Sequence, residues 1–151
     1  MLQTKNMKSS VHILANQMEV FQASTNWHAQ GMWIPFTKVK NIGIGTNHLG
    51  ERIEAFTGIG KFGVLDTMTI TKWDPPHICE VTHTGKVVKG SGVFEVINEQ
   101  NGAKFIWVEY FALPSGPFGT ILWAALWLPI KVGMVLSLHK FSRNYQTISK
   151  L

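Results

Sequence analysis

Three ionisable residues of this chain stand where apolar ones are expected. Asp66 alternates in phase with Met68 and Ile70, His83 with Cys79 and Val81, and Glu109 with Phe105, Trp107 and Phe111. In a strand, residues two apart share a face, so all three turn toward the apolar side of their strands. A carboxylate there is costly unless it is paired or hydrated. Two explanations stand side by side. One is a buried hydrogen-bonded or ionic group that fastens the sheet. The other is a small polar set at the inner end of an apolar cavity, orienting the polar end of a ligand. In the second case His83 or a carboxylate would also be placed to move a proton on a bound substrate. The reading depends on phase, because one bulge flips every side chain beyond it.

Other motifs carry less chemistry. Gly58-Ile-Gly-Lys-Phe-Gly63 spells G-x-G-x-x-G, but a dinucleotide site needs the glycines to lead into a helix. The β-branched run Val64-Leu-Asp-Thr-Met-Thr-Ile-Thr71 follows instead, so the glycines read as a hairpin. His12, His28, His48, His77 and His139 are isolated, with no H-x-x-x-H spacing. Cys79 is the only cysteine, which rules out an intrachain disulfide and a cysteine-based zinc cluster. No metal and no cofactor is expected. Gly90-Ser91-Gly92 lies inside a candidate strand, where glycine marks a bend, a bulge or a close approach.

The elements that must hold these residues follow from composition and period. The 151 residues are 45% hydrophobic and only 15% charged, with a mean hydropathy of +0.07, against about 25% charged in an ordinary soluble domain. That content excludes a disordered chain and calls for one well-filled domain over residues 11–151. The net charge of +5 is dispersed, without a Lys/Arg run, so nucleic acid is not an expected partner. Residues 1–10 are polar and read as a flexible leader without a secretory h-region, giving a cytoplasmic, reducing setting as the expectation.

His12-Ile13-Leu14 marks a first strand. Two short helices follow, one from about Met18 to Ser24 and one opened by Asn26 as N-cap and ended at Pro35. Period-two segments then run over 37–42, 51–57, 64–73, 78–84, 87–97 and 104–112. Gly43-Ile44-Gly45, Gly58-Ile59-Gly60, Asp74-Pro75-Pro76 and Asn101-Gly102 supply the turns of an antiparallel meander. After Leu113-Pro114, Ile130, Met134, Leu138, Phe141, Tyr145 and Ile148 recur at helical steps. The architecture is therefore α+β: a curved antiparallel sheet of about seven strands wrapped round a long C-terminal helix.

One segment invites a different reading. Phe118–Leu138 holds a single charge, Lys131, in 21 residues, long enough to cross a bilayer. Against a span stand Pro129 near its middle, the cost of Lys131 (about 2.5–3.5 kcal/mol on insertion scales) and the sheet face that its removal would bare. A helix packed in the protein is the expectation. Leu122, Trp123, Leu126 and Trp127 are nonetheless apolar on more than one face. A second surface there would suit a homodimer, a pocket lid or transient contact with an anionic membrane, since no acid occurs from Phe111 onward.

In order, these landmarks resemble the SRPBCC superfamily of START-like and birch-pollen-allergen-like helix-grip proteins, including polyketide cyclase/dehydrase-type chains. The residues that carry the resemblance are Trp33-Ile-Pro35, Gly50, Asp66-Thr-Met68, Trp73-Asp-Pro-Pro76, Cys79-Glu80, His83-Thr-Gly85, Gly90-Ser-Gly-Val-Phe94, Trp107-Val-Glu109 and Leu113-Pro114. They cover residues 11–148. Where relatives carry a proline after the first strand, this chain has Asn16-Gln17. The resemblance implies a deep apolar cavity between sheet and last helix, used for lipids, sterols, polyketides or hormones. Trp33, Met68, Trp107, Met134 and Phe141 would wall it, with Asp66, His83 and Glu109 at its polar end. Some relatives are cyclases or dehydratases, so an enzyme here would be of that type. Arg52 and Tyr110, catalytic candidates by type, fall in phase with Glu54 and Val108 on the outer face, which favours a binder or carrier over an enzyme.

Overall fold

A computed structural model of the protein describes residues 1–43 and 49–151. His48 and most of the expected turn at Gly43-Ile44-Gly45 lie outside the described residues. Among the described residues, seven strands form a single antiparallel sheet in the order β1-β7-β6-β5-β4-β3-β2. In the chain they are β1 (Leu2–Ile13), β2 (Thr37–Asn41), β3 (Arg52–Ile59), β4 (Phe62–Asp74), β5 (Ile78–His83), β6 (Gly90–Glu99) and β7 (Gly102–Pro114). Helix α1 (Gln17–Ser24) and a 3-10 helix, Trp27–Met32, lie between β1 and β2, and α2 (Pro117–Ile148) closes the chain. The expected α+β architecture, with short helices after the first strand and a long terminal helix, is the one found.

The meander forms because each break has turn chemistry. β3 and β4 join through Gly60-Lys61, with Gly60 at φ +59°, so G-x-G-x-x-G is the expected hairpin. β6 and β7 join at Gln100-Asn101, where Asn101 adopts φ +63°. β4 carries a bulge between Ile70 and Lys72. Thr71 and Lys72 both face solvent there, which returns Trp73 to the inner face, against Phe21 at 5.1 Å between ring centroids. Asp66 and Met68 lie before the bulge, so their inward phase survives it.

Two local expectations need correction. Residues 1–10 are no loose leader: β1 starts at Leu2 and pairs with β7 residue by residue, from Leu2 opposite Pro114 to Ile13 opposite Ala103. The helix cap also sits elsewhere. Asn26 makes no side-chain capping bond, whereas Asn16 Oδ1 accepts from the Glu19 amide at 2.9 Å and caps α1. Asn16 thus orders the start of α1.

The core lies between the concave face of the sheet, α1, the 3-10 helix and the second half of α2. Met134, Leu138, Phe141, Tyr145 and Ile148 are buried along one stripe of α2, as their spacing requires. Full burial of a side chain such as Phe141 is worth about 1.5–3 kcal/mol. The first half of α2 behaves differently. The helix runs through Pro129 without a break, yet between Pro117 and Gly133 only Gly119 is buried. The expectation of a packed helix thus holds for its second half only.

Candidate functional site

The sheet brings Asp66, His83 and Glu109 together across four neighbouring strands. His83, the last residue of β5, is opposite Met68 on β4 and Gly90 on β6. Asp66 stands two residues from Met68 on the same face, and Glu109 on β7 lies opposite Gly92 on β6. The imidazole bridges the two acids: Nδ1 lies 2.7 Å from Asp66 Oδ2, and Nε2 lies 3.1 Å from Glu109 Oε2. Trp107 Nε1 donates to Glu109 Oε1 at 2.6 Å. The three titratable side chains keep only 7–15% of their surface exposed.

Gly92 makes this bridge possible. A Cβ at this position would stand 2.9 Å from Glu109 Oε1 and 3.2 Å from Oε2. With glycine there, the carboxylate lies across β6 and reaches the imidazole one strand beyond. Gly90 is constrained separately, with φ +129° and a would-be Cβ 1.8 Å from the Tyr110 carbonyl oxygen. Of a bend, a bulge and a close approach, it is close approach that accounts for both glycines of Gly90-Ser91-Gly92.

The electrostatics follow from the contacts. Burial alone would lower the His83 pKa, because it disfavours the imidazolium. The hydrogen bonds to Asp66 and Glu109, with the charge of both carboxylates, outweigh burial and lift it to about 9. At neutral pH the group is an imidazolium between two carboxylates. Both ring nitrogens then donate to carboxylates, so His83 as arranged holds a proton and has no free lone pair with which to take one.

Beside this cluster lies a hollow of about 180 Å³. Met68, Trp107, Val81, Phe94, Ala55 and Trp27 give it apolar walls, with Asp66, His83 and Glu109 at one side. A second, wider hollow of about 480 Å³ opens between α2 (Pro129–Ser137), Pro35-Phe36 and Phe111. Ile34, Thr37, Thr57, His83, Trp107 and Glu109 border both. The two hollows are therefore neighbours, and His83 and Glu109 of the polar cluster stand between them. Among the described residues, two buried polar atoms on side chains that line the inner hollow lack a hydrogen-bond partner: the donor Trp27 Nε1 and the acceptor Asp66 Oδ1.

The sequence-derived wall residues divide into two groups. Asp66, Met68, His83, Trp107 and Glu109 border the inner hollow, and Met134 the outer one. Trp33 and Phe141 border neither. They are fully buried and pack edge to face at 5.1 Å, with Phe105 against both rings, so they are core. Arg52 and Tyr110 are exposed on the outer face, as their phase indicates. Sequence reasoning missed Thr37 and Thr57, whose hydroxyls bond at 2.9 Å across β2 and β3 and whose alignment only strand pairing reveals. Trp27 also borders the inner hollow.

No family model matches the chain, and no curated protein matches it. Solved structures do. The Zhui aromatase/cyclase from Streptomyces sp. R1128 superposes with a TM-score of 0.76 at 13% identity, covering 95% of this chain and 94% of that one. The di-domain ARO/CYC BexL from the BE-7585A biosynthetic pathway gives 0.72 at 17% identity, covering 97% of this chain and 48% of that one. Ara h 8.0201 gives 0.63 at 10% identity, covering 93% and 99%. At these identities the likeness is one of fold. This chain shares their fold, a curved seven-stranded antiparallel sheet with a long C-terminal helix.

Proposed function

We propose that this protein binds an apolar small molecule, with the molecule's hydrogen-bonding end directed at Asp66, His83 and Glu109. One observation carries the reading: an inner hollow walled by Met68, Val81, Phe94 and Trp107 has a buried imidazolium with two carboxylates on one side and shares Thr37 and Thr57 with the wider hollow next to it. Its unpartnered groups suit a complementary ligand, since an unmade bond in a buried site is costly. A hydroxyl or amine would donate to Asp66, and a carbonyl would accept from Trp27. The inner volume fits a compact ring system, and a longer molecule would need the neighbouring outer hollow as well, since ligand sites commonly span about 300–1,000 Å³.

Native mass spectrometry of the purified protein tests this directly, the expected result being a bound apolar molecule. The variants Glu109→Gln and His83→Gln should weaken its binding, beside the stability that the broken cluster costs. A loss of stability with unchanged affinity would assign the cluster to holding the sheet, and the reading would fall.

A second reading, a cyclase or dehydratase, is favoured by the aromatase/cyclase structures of the same fold and by two carboxylates at the hollow. A carboxylate would then be the proton acceptor, because both His83 nitrogens are engaged. Turnover of a polyketide-like substrate, lost in Asp66→Asn or Glu109→Gln with binding retained, separates catalysis from carriage.

A further inference from the structure

The first half of α2 leaves a long apolar surface uncovered. From Phe118 to Leu138 the only charged residue is Lys131. A helix apolar on every side is ordinarily enclosed by protein or by lipid, yet of its most apolar 18-residue stretch only 17% is buried. Its inner side is occupied: Trp123 rests on Phe111 at 5.8 Å between ring centroids, and Lys131 Nζ donates to the Lys8 carbonyl on β1. The outer side is bare. Phe118, Ile121, Ala125, Leu128, Val132 and Val135 follow at steps of three and four, which aligns them in one stripe, and all are exposed. The five large side chains among them are 45–68% exposed.

Charge selects what covers this stripe. From Phe111 to the end of the chain there is no acid, while Lys131, Lys140, Arg143 and Lys150 are present, and Lys8 stands beside the helix on β1. A second copy would bring an equally acid-free helix, flanked by the same cations, against this one. An anionic lipid surface supplies both the apolar layer and the opposite charge. The stripe also reaches the outer hollow, where Val132, Leu136 and the 71%-exposed Phe36 form an apolar rim. The ties to Phe111 and Lys8 hold the helix along the sheet, so it lies on a bilayer rather than crossing one. We propose that the outer face of α2 docks the protein on anionic membranes, with its axis in the plane of the interface. The docking surface stands whether or not the hollow holds a ligand.

Flotation of the full chain with phosphatidylcholine vesicles, and with vesicles also containing phosphatidylglycerol, tests the proposal. The wild type should float with the anionic vesicles, remain behind with the neutral ones, and detach at high salt, which screens surface charge. Ile121→Glu combined with Leu128→Glu should abolish flotation while leaving thermal unfolding unchanged, because both side chains are exposed. The milder pair Ile121→Ser and Leu128→Ser should weaken it in the same direction if the glutamates impair folding. Ligand binding in vesicle-free solution should be unaltered in either pair, so failure here is distinct from failure of the cavity reading. Three outcomes would overturn the proposal: no flotation with either vesicle, equal flotation with both, or a wild-type dimer that the glutamate pair splits without any vesicle binding.

Discussion

At His83 two opposing effects set the charge beside the hollow, and their balance is measurable. Burial favours the neutral ring, while two carboxylates in hydrogen-bond contact favour the imidazolium and raise its pKa from 6.5 to about 9. A histidine with a higher pKa in the folded state contributes its full stabilisation below the unfolded value and loses it as pH rises through the folded one. Stability from this source should therefore be greatest below about pH 6.5 and fade toward pH 9, by an amount on the order of 3 kcal/mol. Urea unfolding across that range should show the decline in the wild type and a flatter profile in His83→Gln. A wild-type profile just as flat would mean the ring is not held charged. Gly92→Ala tests the same contact from the neighbouring strand. Its methyl group would crowd the Glu109 carboxylate, so the His83 pKa followed by NMR should fall toward its ordinary value, with a stability loss of about 1–3 kcal/mol.

Single elements show which signals in the sequence can be trusted. Asn16 and Asn26 are the same residue type in similar settings, both ahead of a helical segment. Only Asn16 caps, through the Glu19 amide; the segment after Asn26 is a 3-10 helix without a side-chain cap bond. Asn16→Ala should therefore cost about 1 kcal/mol, and Asn26→Ala should fall within about 0.5 kcal/mol of wild type as an ordinary substitution, both read by thermal or urea unfolding. The inward phase of Asp66, His83 and Glu109 was legible because the β4 bulge lies beyond Asp66 and Met68. The meeting of these residues was not, since it depends on the pairing of four strands and on a glycine between two of them. Trp33 and Phe141 were indistinguishable from Met68 and Trp107 in sequence, because an apolar residue facing a void and one facing another ring share the same periodicity. The fate of α2 was half legible. Its buried stripe follows from the spacing Met134, Leu138, Phe141, Tyr145 and Ile148, but sequence alone could not show that the sheet covers only one side of the preceding turns.

For the molecule as a whole, the sheet has two edges, and the less legible one bears the greater weight. β1 resisted reading because its inward positions are Gln3, Lys5, Met7, Ser9, Val11 and Ile13, of which only the last two and Met7 are apolar. The alternation that signals a half-buried strand is absent from most of its length, since that part faces the first half of α2 rather than the aromatic core. Its structural role does not depend on that alternation. Leu2–Ser10 cover β7 from Ile106 to Pro114, Lys8 offers its carbonyl to Lys131, and Met7 is buried at 3% exposure. Without these residues β7 becomes an exposed edge with unpaired amides and carbonyls, which invites association with other chains, and α2 loses the strand along which it lies. Deleting residues 2–10 should thus remove much of a domain stability that ordinarily totals about 5–15 kcal/mol. The truncated chain should unfold at markedly lower temperature by circular dichroism and elute as aggregate on gel filtration. An unchanged melting temperature and a monomeric profile would instead mean that the first strand is dispensable, and that β7 and α2 are held by the core alone.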